Sequence, residues 1–149
     1  MATLEIAQTY ADKKHKGQTD IGGQPYIYHP IRVMESLKTN DEKIVGIMHD
    51  VIEDTDATFD ELLAMGFERK IIVALDCLTK RKGEDRITAA HRAAANRLAC
   101  AVKLADVTDN MDMSRIPNPT QRDYDRYAQY EQVKAILLDA KATRWNNFE

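Results

Sequence analysis

The 149-residue chain is 30% charged and 44% hydrophobic with only 6 Gly and 4 Pro, a balance closer to a helical globular protein than to a β-sandwich or a disordered chain. A formal charge of −3 gives no basic surplus for duplex nucleic acid, and no apolar run approaches the length of a membrane span. The length suits one domain over residues 1–149.

The first residues turn charged by Lys13-Lys14, without the apolar stretch of a signal peptide. Cys77 and Cys100 lie in apolar-periodic segments without CxxC spacing, so buried free thiols in a reducing cytoplasm are expected.

Leu4, Ala7 and Ala11 predict a first helix that fades near His15-Lys16-Gly17-Gln18, and Gly22-Gly23-Gln24-Pro25 is turn chemistry. Pro30 suits the first turn of a second helix through Ile31, Val33, Met34 and Leu37, which puts His29 at its mouth. Asn40 or Asp41 is expected to cap a third helix with Ile44, Ile47, Met48, Val51 and Ile52 at helical spacing. Thr58-Phe59-Asp60-Glu61 resembles a capping box for a short helix to Met65, closed by Gly66. A helix from Glu68 to Leu78 follows, then an exposed, mainly basic loop from Thr79 to Glu84.

From Ile87 the alanine-rich stretch is helical by propensity, and a helix burying Leu98, Ala101, Val102, Leu104, Ala105 and Val107 is expected to run to about Met113. Pro117 and Pro119 end it. The last helix, about 120–141, carries Tyr124, Tyr127 and Tyr130 as a packing ladder, with a frayed tail over 144–149. Nothing alternates at period two for long enough to argue a sheet, so the predicted fold class is all-α.

The chemistry concentrates in Met48-His49-Asp50-Val51-Ile52-Glu53-Asp54-Thr55, near the end of the third predicted helix. There Glu53 would stack one turn from His49 and Asp50, and Asp54 one turn from Asp50. Carboxylates so crowded repel, and a divalent cation is the simplest compensation. His29, His49, Asp50 and Asp106 are the nominated ligands, an N2O2 set that suits manganese, iron or zinc better than calcium. Asp106 shares a helix face with Asn110, whose amide suits a sugar hydroxyl or phosphate. Lys103 reads as an ion-pair partner of Asp106 or a phosphate contact. His15 and Gln18 divide evenly between a site role and a solvated helix end, and His91 reads as a surface residue.

These residues fall into blocks: His15-x-Gly17-Gln18; Gly23-x-Pro25-Tyr26-Ile27-x-His29-Pro30; His49-Asp50-x-x-Glu53-Asp54-Thr55; Leu78-Thr79-Lys80; and Val102-Lys103-Leu104-Ala105-Asp106-x-x-Asp109-Asn110. In this order, over about residues 4–115, they resemble the HD-domain hydrolases of RelA/SpoT type, in particular the small stand-alone alarmone hydrolases. The resemblance implies an α-helical HD fold that binds one manganese ion and removes the 3′-pyrophosphate of guanosine 3′,5′-bispyrophosphate. It matches His29, His49, Asp50 and Asp106 to the metal ligands, Glu53 and Asp54 to the acidic pair that activates or positions water, and Asn110 to a nucleotide contact.

Where family members usually carry a base-stacking arginine, this chain has Asp20-Ile21, and where a tyrosine is usual after Leu-Thr-Lys it reads Ala89 or its neighbours. The competing expectations are an HD phosphohydrolase with a different phosphorylated substrate and a non-catalytic nucleotide-binding module. The expected partner is a small nucleotide, with homo-oligomer formation left open.

Overall fold

Side-chain oxygens of Thr3, Thr39, Thr58, Asp85 and Asn96 accept backbone N–H groups at helix starts, and these caps largely set how the chain divides. The computed structural model describes residues 2–145, and among them nine α-helices form. They are α1 (Leu4–Lys14), α2 (Tyr28–Ser36), α3 (Asn40–Met48), α4 (Val51–Asp54), α5 (Phe59–Ala64), α6 (Arg69–Leu78), α7 (Arg86–Ala94), α8 (Arg97–Asn110) and α9 (Gln121–Ala140). An isolated bridge between Thr19 and Pro25 is the sole extended pairing among the described residues, in keeping with the all-α expectation.

Helices α3 and α8 occupy the centre. α3 packs against α1, α2, α6 and α8, while α8 packs against α2, α3, α6, α7 and α9. The five residues from Ile44 to Met48 are all buried, which is the signature of a helix enclosed on every side. Hydrophobic burial here makes the ends of α3 and α8 rigid supports, and both carry site residues.

Several sequence expectations are corrected by this architecture. The third helix is capped by Thr39 rather than Asn40 or Asp41: its Oγ1 accepts Glu42 N–H at 3.1 Å while Glu42 Oε1 accepts Thr39 N–H at 3.2 Å. That helix also stops at Met48. His49 Nδ1 lies 2.6 Å from Gly46 O, and this carbonyl is the one that Asp50 N–H would take in an unbroken helix. The chain turns through His49-Asp50 and restarts as α4, so these two metal-binding candidates sit at a break, not on a continuous helix face.

The long helix expected from Ile87 to Met113 is likewise two, because Asn96 leaves helical geometry and its Oδ1 accepts Ala99 N–H at 2.8 Å. This phase buries Ala99, Cys100, Val102, Asp106 and Val107, leaving Leu98, Ala101, Leu104 and Ala105 half-buried. Cys77 is half-buried too, its helix presenting Ile71, Ala74 and Leu75 inward instead. Tyr124 is 55% exposed, so the tyrosine ladder does not pack as a unit. At the C-terminus, Arg144 and Trp145 belong to a π-helical turn, Lys141–Trp145, and Trp145 Nε1 donates to Ala94 O at 3.0 Å. That indole pins a segment expected to fray; residues 146–149 lie outside the described residues.

The loop between α6 and α7 is closed by Arg92, which donates to both oxygens of Glu84 and to Thr79 O. The Arg92 hydrogen bond, followed by the Arg81 N–H bond, lowers the Glu84 pKa from the usual glutamate value to about 2. A depressed carboxyl pKa stabilises the fold above its unfolded value and loses that contribution as pH falls through the folded one. Wild type and Glu84→Gln are therefore expected to differ in urea midpoint at neutral pH and to converge as pH falls from about 4.5 toward 2. A gap that stays constant through that window would show that the loop does not depend on the ionised pair.

Candidate active site

Three elements bring the nominated residues together: His29 from the first turn of α2, His49 and Asp50 from the α3–α4 break, and Asp106 from the C-terminal part of α8. His29, His49 and Asp50 each offer a ligand atom within 4.8 Å of the others. Asp106 Oδ1 lies 2.9 Å from His29 Nε2 and 3.3 Å from His49 Nε2, and Asp50 Oδ2 lies 3.0 Å from His49 Nε2. His29, His49 and Asp106 are buried, with 4–6% of their surface exposed.

The chemistry of this set fits a divalent cation. A carbonyl can only accept, so the short contact to Gly46 O fixes the proton of His49 on Nδ1. Nε2 is then buried without an aligned hydrogen-bond partner, facing two carboxylate oxygens. A lone pair among carboxylates is repulsive until a positive charge enters. His29 is arranged the same way, with Nδ1 2.7 Å from Asp109 Oδ2 and Nε2 turned to the cluster.

The electrostatics express this demand for a cation. Burial opposes the charged form of both imidazoles, yet surrounding carboxylates raise both pKa values, that of His49 strongly. Burial would also raise the Asp106 pKa, but the Lys103 ammonium and the imidazoles hold the carboxyl well below the usual range. Lys103 Nζ sits 2.9 Å from Asp106 Oδ2, and Asn110 Nδ2 donates to Oδ1 at 3.1 Å.

Glu53 and Asp54 stand on α4 beside Asp50, and Asp50, Glu53 and Asp54 also form a three-carboxylate group within 4.8 Å. Glu53 Oε1 accepts the Lys80 backbone N–H at 2.8 Å. Partial burial, then the charges of Asp50 and Glu53, push the Asp54 pKa up to about 6. Tyr26 donates to Asp50 Oδ2 at 2.5 Å. His15, fully buried, contacts Gln18 Oε1 through Nδ1, and the Gln18 amide donates to Asp54 O. His15 thus buttresses the end of α4 and is not a solvated helix end.

His29, His49, Asp50, Glu53, Asp54 and Asp106 line a cavity of about 260 Å³ that also receives Lys80, Arg86, Lys103 and Tyr130. A second cavity of about 260 Å³ adjoins it, sharing Tyr26, His29, Asn110 and Tyr130 as a common wall. Its other residues include Asp20, Ile21, Arg32, Met113, Arg115 and Tyr127. The loop carrying Asp20 lies so close to the turn at 113–115 that a Cβ on Gly22 would sit 2.5 Å from Arg115 O.

Tyr26, Arg86, Tyr130, Arg32 and Arg115 were not foreseen from the sequence as site residues, and Lys80 was read there only as part of an exposed basic loop able to steer an anionic substrate. Tyr26 stood inside a quoted motif, and Arg32 lies one helical turn after His29, a spacing that signals a shared face. No local signal joined α9 to the site: Tyr130 reaches it through packing of α9 on α7 and α8, and Arg86 stacks over its ring at 5.4 Å.

A comparison with protein-family models gives no match. Among individual proteins, the guanosine-3′,5′-bis(diphosphate) 3′-pyrophosphohydrolase MESH1 of Danio rerio is 32% identical over 128 residues, covering 76% of this chain and 71% of that protein. The chain belongs to this pyrophosphohydrolase family. The bifunctional (p)ppGpp synthase/hydrolase SpoT of Escherichia coli is 40% identical over 63 residues, and a GTP pyrophosphokinase of Myxococcus xanthus is 38% identical over 81. The chain spans only 9% and 11% of those two longer relatives.

The family fold is matched by a solved structure described as a metazoan orthologue of SpoT that hydrolyses ppGpp. The TM-score is 0.71 and the identity 23%, with 97% of this chain and 96% of that one covered. The expected HD-type helical fold is therefore present, and the spacing of the His-His-Asp group allows it to hold a metal ion. Among the described residues no helix is long and apolar enough to cross a membrane.

Proposed function

We propose that this protein is a manganese-dependent pyrophosphohydrolase that removes the 3′-pyrophosphate of guanosine 3′,5′-bispyrophosphate or a closely related nucleotide. The carrying observation is the convergence, in one cavity, of the His29, His49, Asp50 and Asp106 cluster with the acids Glu53 and Asp54 and the cations Lys80, Arg86 and Lys103. Membership of a family whose Danio rerio member is named for this reaction supports the substrate.

His29, His49, Asp50 and Asp106 would hold the metal, their nitrogen and hard-oxygen donors suiting manganese. When bound, the cation would supply Lewis-acid polarisation of a phosphoryl oxygen and a lowered pKa for water. Glu53 and Asp54 orient the attacking water and accept its proton, being neighbours of Asp50 on the next helix turn. The water oxygen adds to the phosphorus nearest the ribose, the bond from that phosphorus to the 3′ oxygen breaks, and the 3′ oxygen leaves to be protonated. Lys80, Arg86 and Lys103 neutralise the diphosphate charge, while Asn110 and Tyr26, shared by both cavities, orient the nucleotide between them.

The base then falls in the second cavity, beside Asp20. Its arginines are engaged by carboxylates: Arg32 by Asp109, Arg115 by Asp109 and Asp112, and Arg126 by Asp123. Selectivity for guanine over adenine is therefore expected to be weak, and Asp20→Arg should tighten binding of guanosine 3′,5′-bispyrophosphate by about 1 kcal/mol through stacking on the purine. The test follows release of pyrophosphate from guanosine and adenosine bispyrophosphates with manganese, and after chelation, in wild type and Asp20→Arg. Metal-independent release, or none from any bispyrophosphate, would defeat the assignment; strong guanine selectivity in wild type would defeat the role given to Asp20.

A further inference from the structure

We infer that Asp109, clamped by Arg32 and Arg115, is a positioning residue that fixes the tautomer and ring orientation of His29 for metal binding. The inference rests on the reading of His29 as a ligand. Asp109 is one turn after Asp106 on α8, and its Oδ2 lies 2.7 Å from His29 Nδ1. Arg32 grips the same carboxylate with two donors, Nε to Oδ1 at 2.9 Å and Nη2 to Oδ2 at 3.1 Å. Arg115 adds Nη2 to Oδ2 at 3.2 Å and to the Asp109 carbonyl at 2.8 Å, while its Nη1 holds Asp112 at 2.9 Å.

This arrangement has a specific chemical consequence. An ionised carboxylate can only accept, so Asp109 keeps the imidazole proton on Nδ1 and leaves the Nε2 lone pair directed toward Asp106 and Asp50. Burial alone would raise the Asp109 pKa, but hydrogen bonds from His29 and Arg32 hold it well below the usual carboxylate range. The two guanidiniums also fix the carboxylate in space, since a bidentate arginine restrains both oxygens. His49 receives the same service from a backbone carbonyl, Gly46 O, so the two histidines are oriented by different devices. Only the one at His29 can be removed by a side-chain substitution.

A carboxylate on the far nitrogen of a metal-binding histidine raises the basicity of the ligand, and loss of such partners typically weakens metal binding about 10–100-fold. Manganese(II) binding to wild type, Asp109→Ala, Asp109→Asn and Asp109→Glu is measured by calorimetry at constant pH, alongside helicity and thermal midpoint of the metal-free proteins. Asp109→Ala is expected to weaken binding about 10–100-fold, Asp109→Asn to fall between it and wild type, and Asp109→Glu to recover part of the loss. Nitrogen-15 spectra of the zinc(II)-loaded proteins should show His29 protonated at Nδ1 in wild type, with that signature shifted in Asp109→Ala. If Asp109→Ala loses helicity, the isosteric Asp109→Asn decides by the same measurements. Wild-type affinity and an unshifted His29 signature in the folded variant overturn the role of Asp109 while leaving the function intact. Failure of wild type itself to bind manganese(II) or zinc(II) overturns the functional reading and this one with it.

Discussion

Replacing Asp106 by alanine is expected to empty the site of metal and reduce pyrophosphate release to background, the largest effect of any single substitution in this protein. Its carboxylate faces Nε2 of both His29 and His49 and accepts from Lys103 and Asn110, so its loss takes an oxygen from beside both imidazoles and the acceptor from two further side chains. The proposed metal would lose one of two oxygen donors and much of the negative charge that attracts it. His49→Ala should act in the same direction, since Nε2 is buried with no other assigned task. Elemental analysis and calorimetry check both variants, with circular dichroism confirming that helicity is kept. Asp106→Ala that is folded, metal-replete and active would remove Asp106 from the ligand set.

Glu53→Gln is expected to keep the metal and lose turnover by about 10²–10⁴-fold, because an amide preserves shape but cannot take a proton from water. The amide oxygen can still accept Lys80 N–H, so the α6–α7 loop stays anchored and KM should change far less than kcat. Asp54→Asn makes the matching measurement on the other acid, whose backbone oxygen is held by the Gln18 amide and whose place on α4 is thereby retained. The variant with the larger fall in kcat identifies the proton acceptor, and the other acid orients the water. Near-normal turnover in Glu53→Gln would assign proton transfer to Asp54.

The helices were legible where a cap or an apolar stripe is a local feature. Thr58 at the start of α5, and Gly66 with φ of 94° just after its end, are local punctuation, and tertiary packing had nothing to overrule there. The nomination of His29, His49, Asp50 and Asp106, which the fold brings together, started from a local cue: His49 and three carboxylates crowd within six residues of one segment. Buried imidazole and carboxylate side chains demand compensation wherever they occur.

What the sequence by itself determined is thus the all-α class, most helix positions and the residue types at the site. The breaks at His49-Asp50 and Ala95-Asn96 came from structure, because each depends on where one side chain finds its hydrogen bond: His49 at Gly46 O and Asn96 at Ala99 N–H. Only the tertiary structure brought Tyr130 on α9 to the cavity, and only it joined Arg32 and Arg115, 83 positions apart in the chain, on one carboxylate of α8. Periodicity reports which face of a helix is apolar, but a pairing between helices is fixed by the packing of buried side chains around α3 and α8, and that packing has no local signature in the chain.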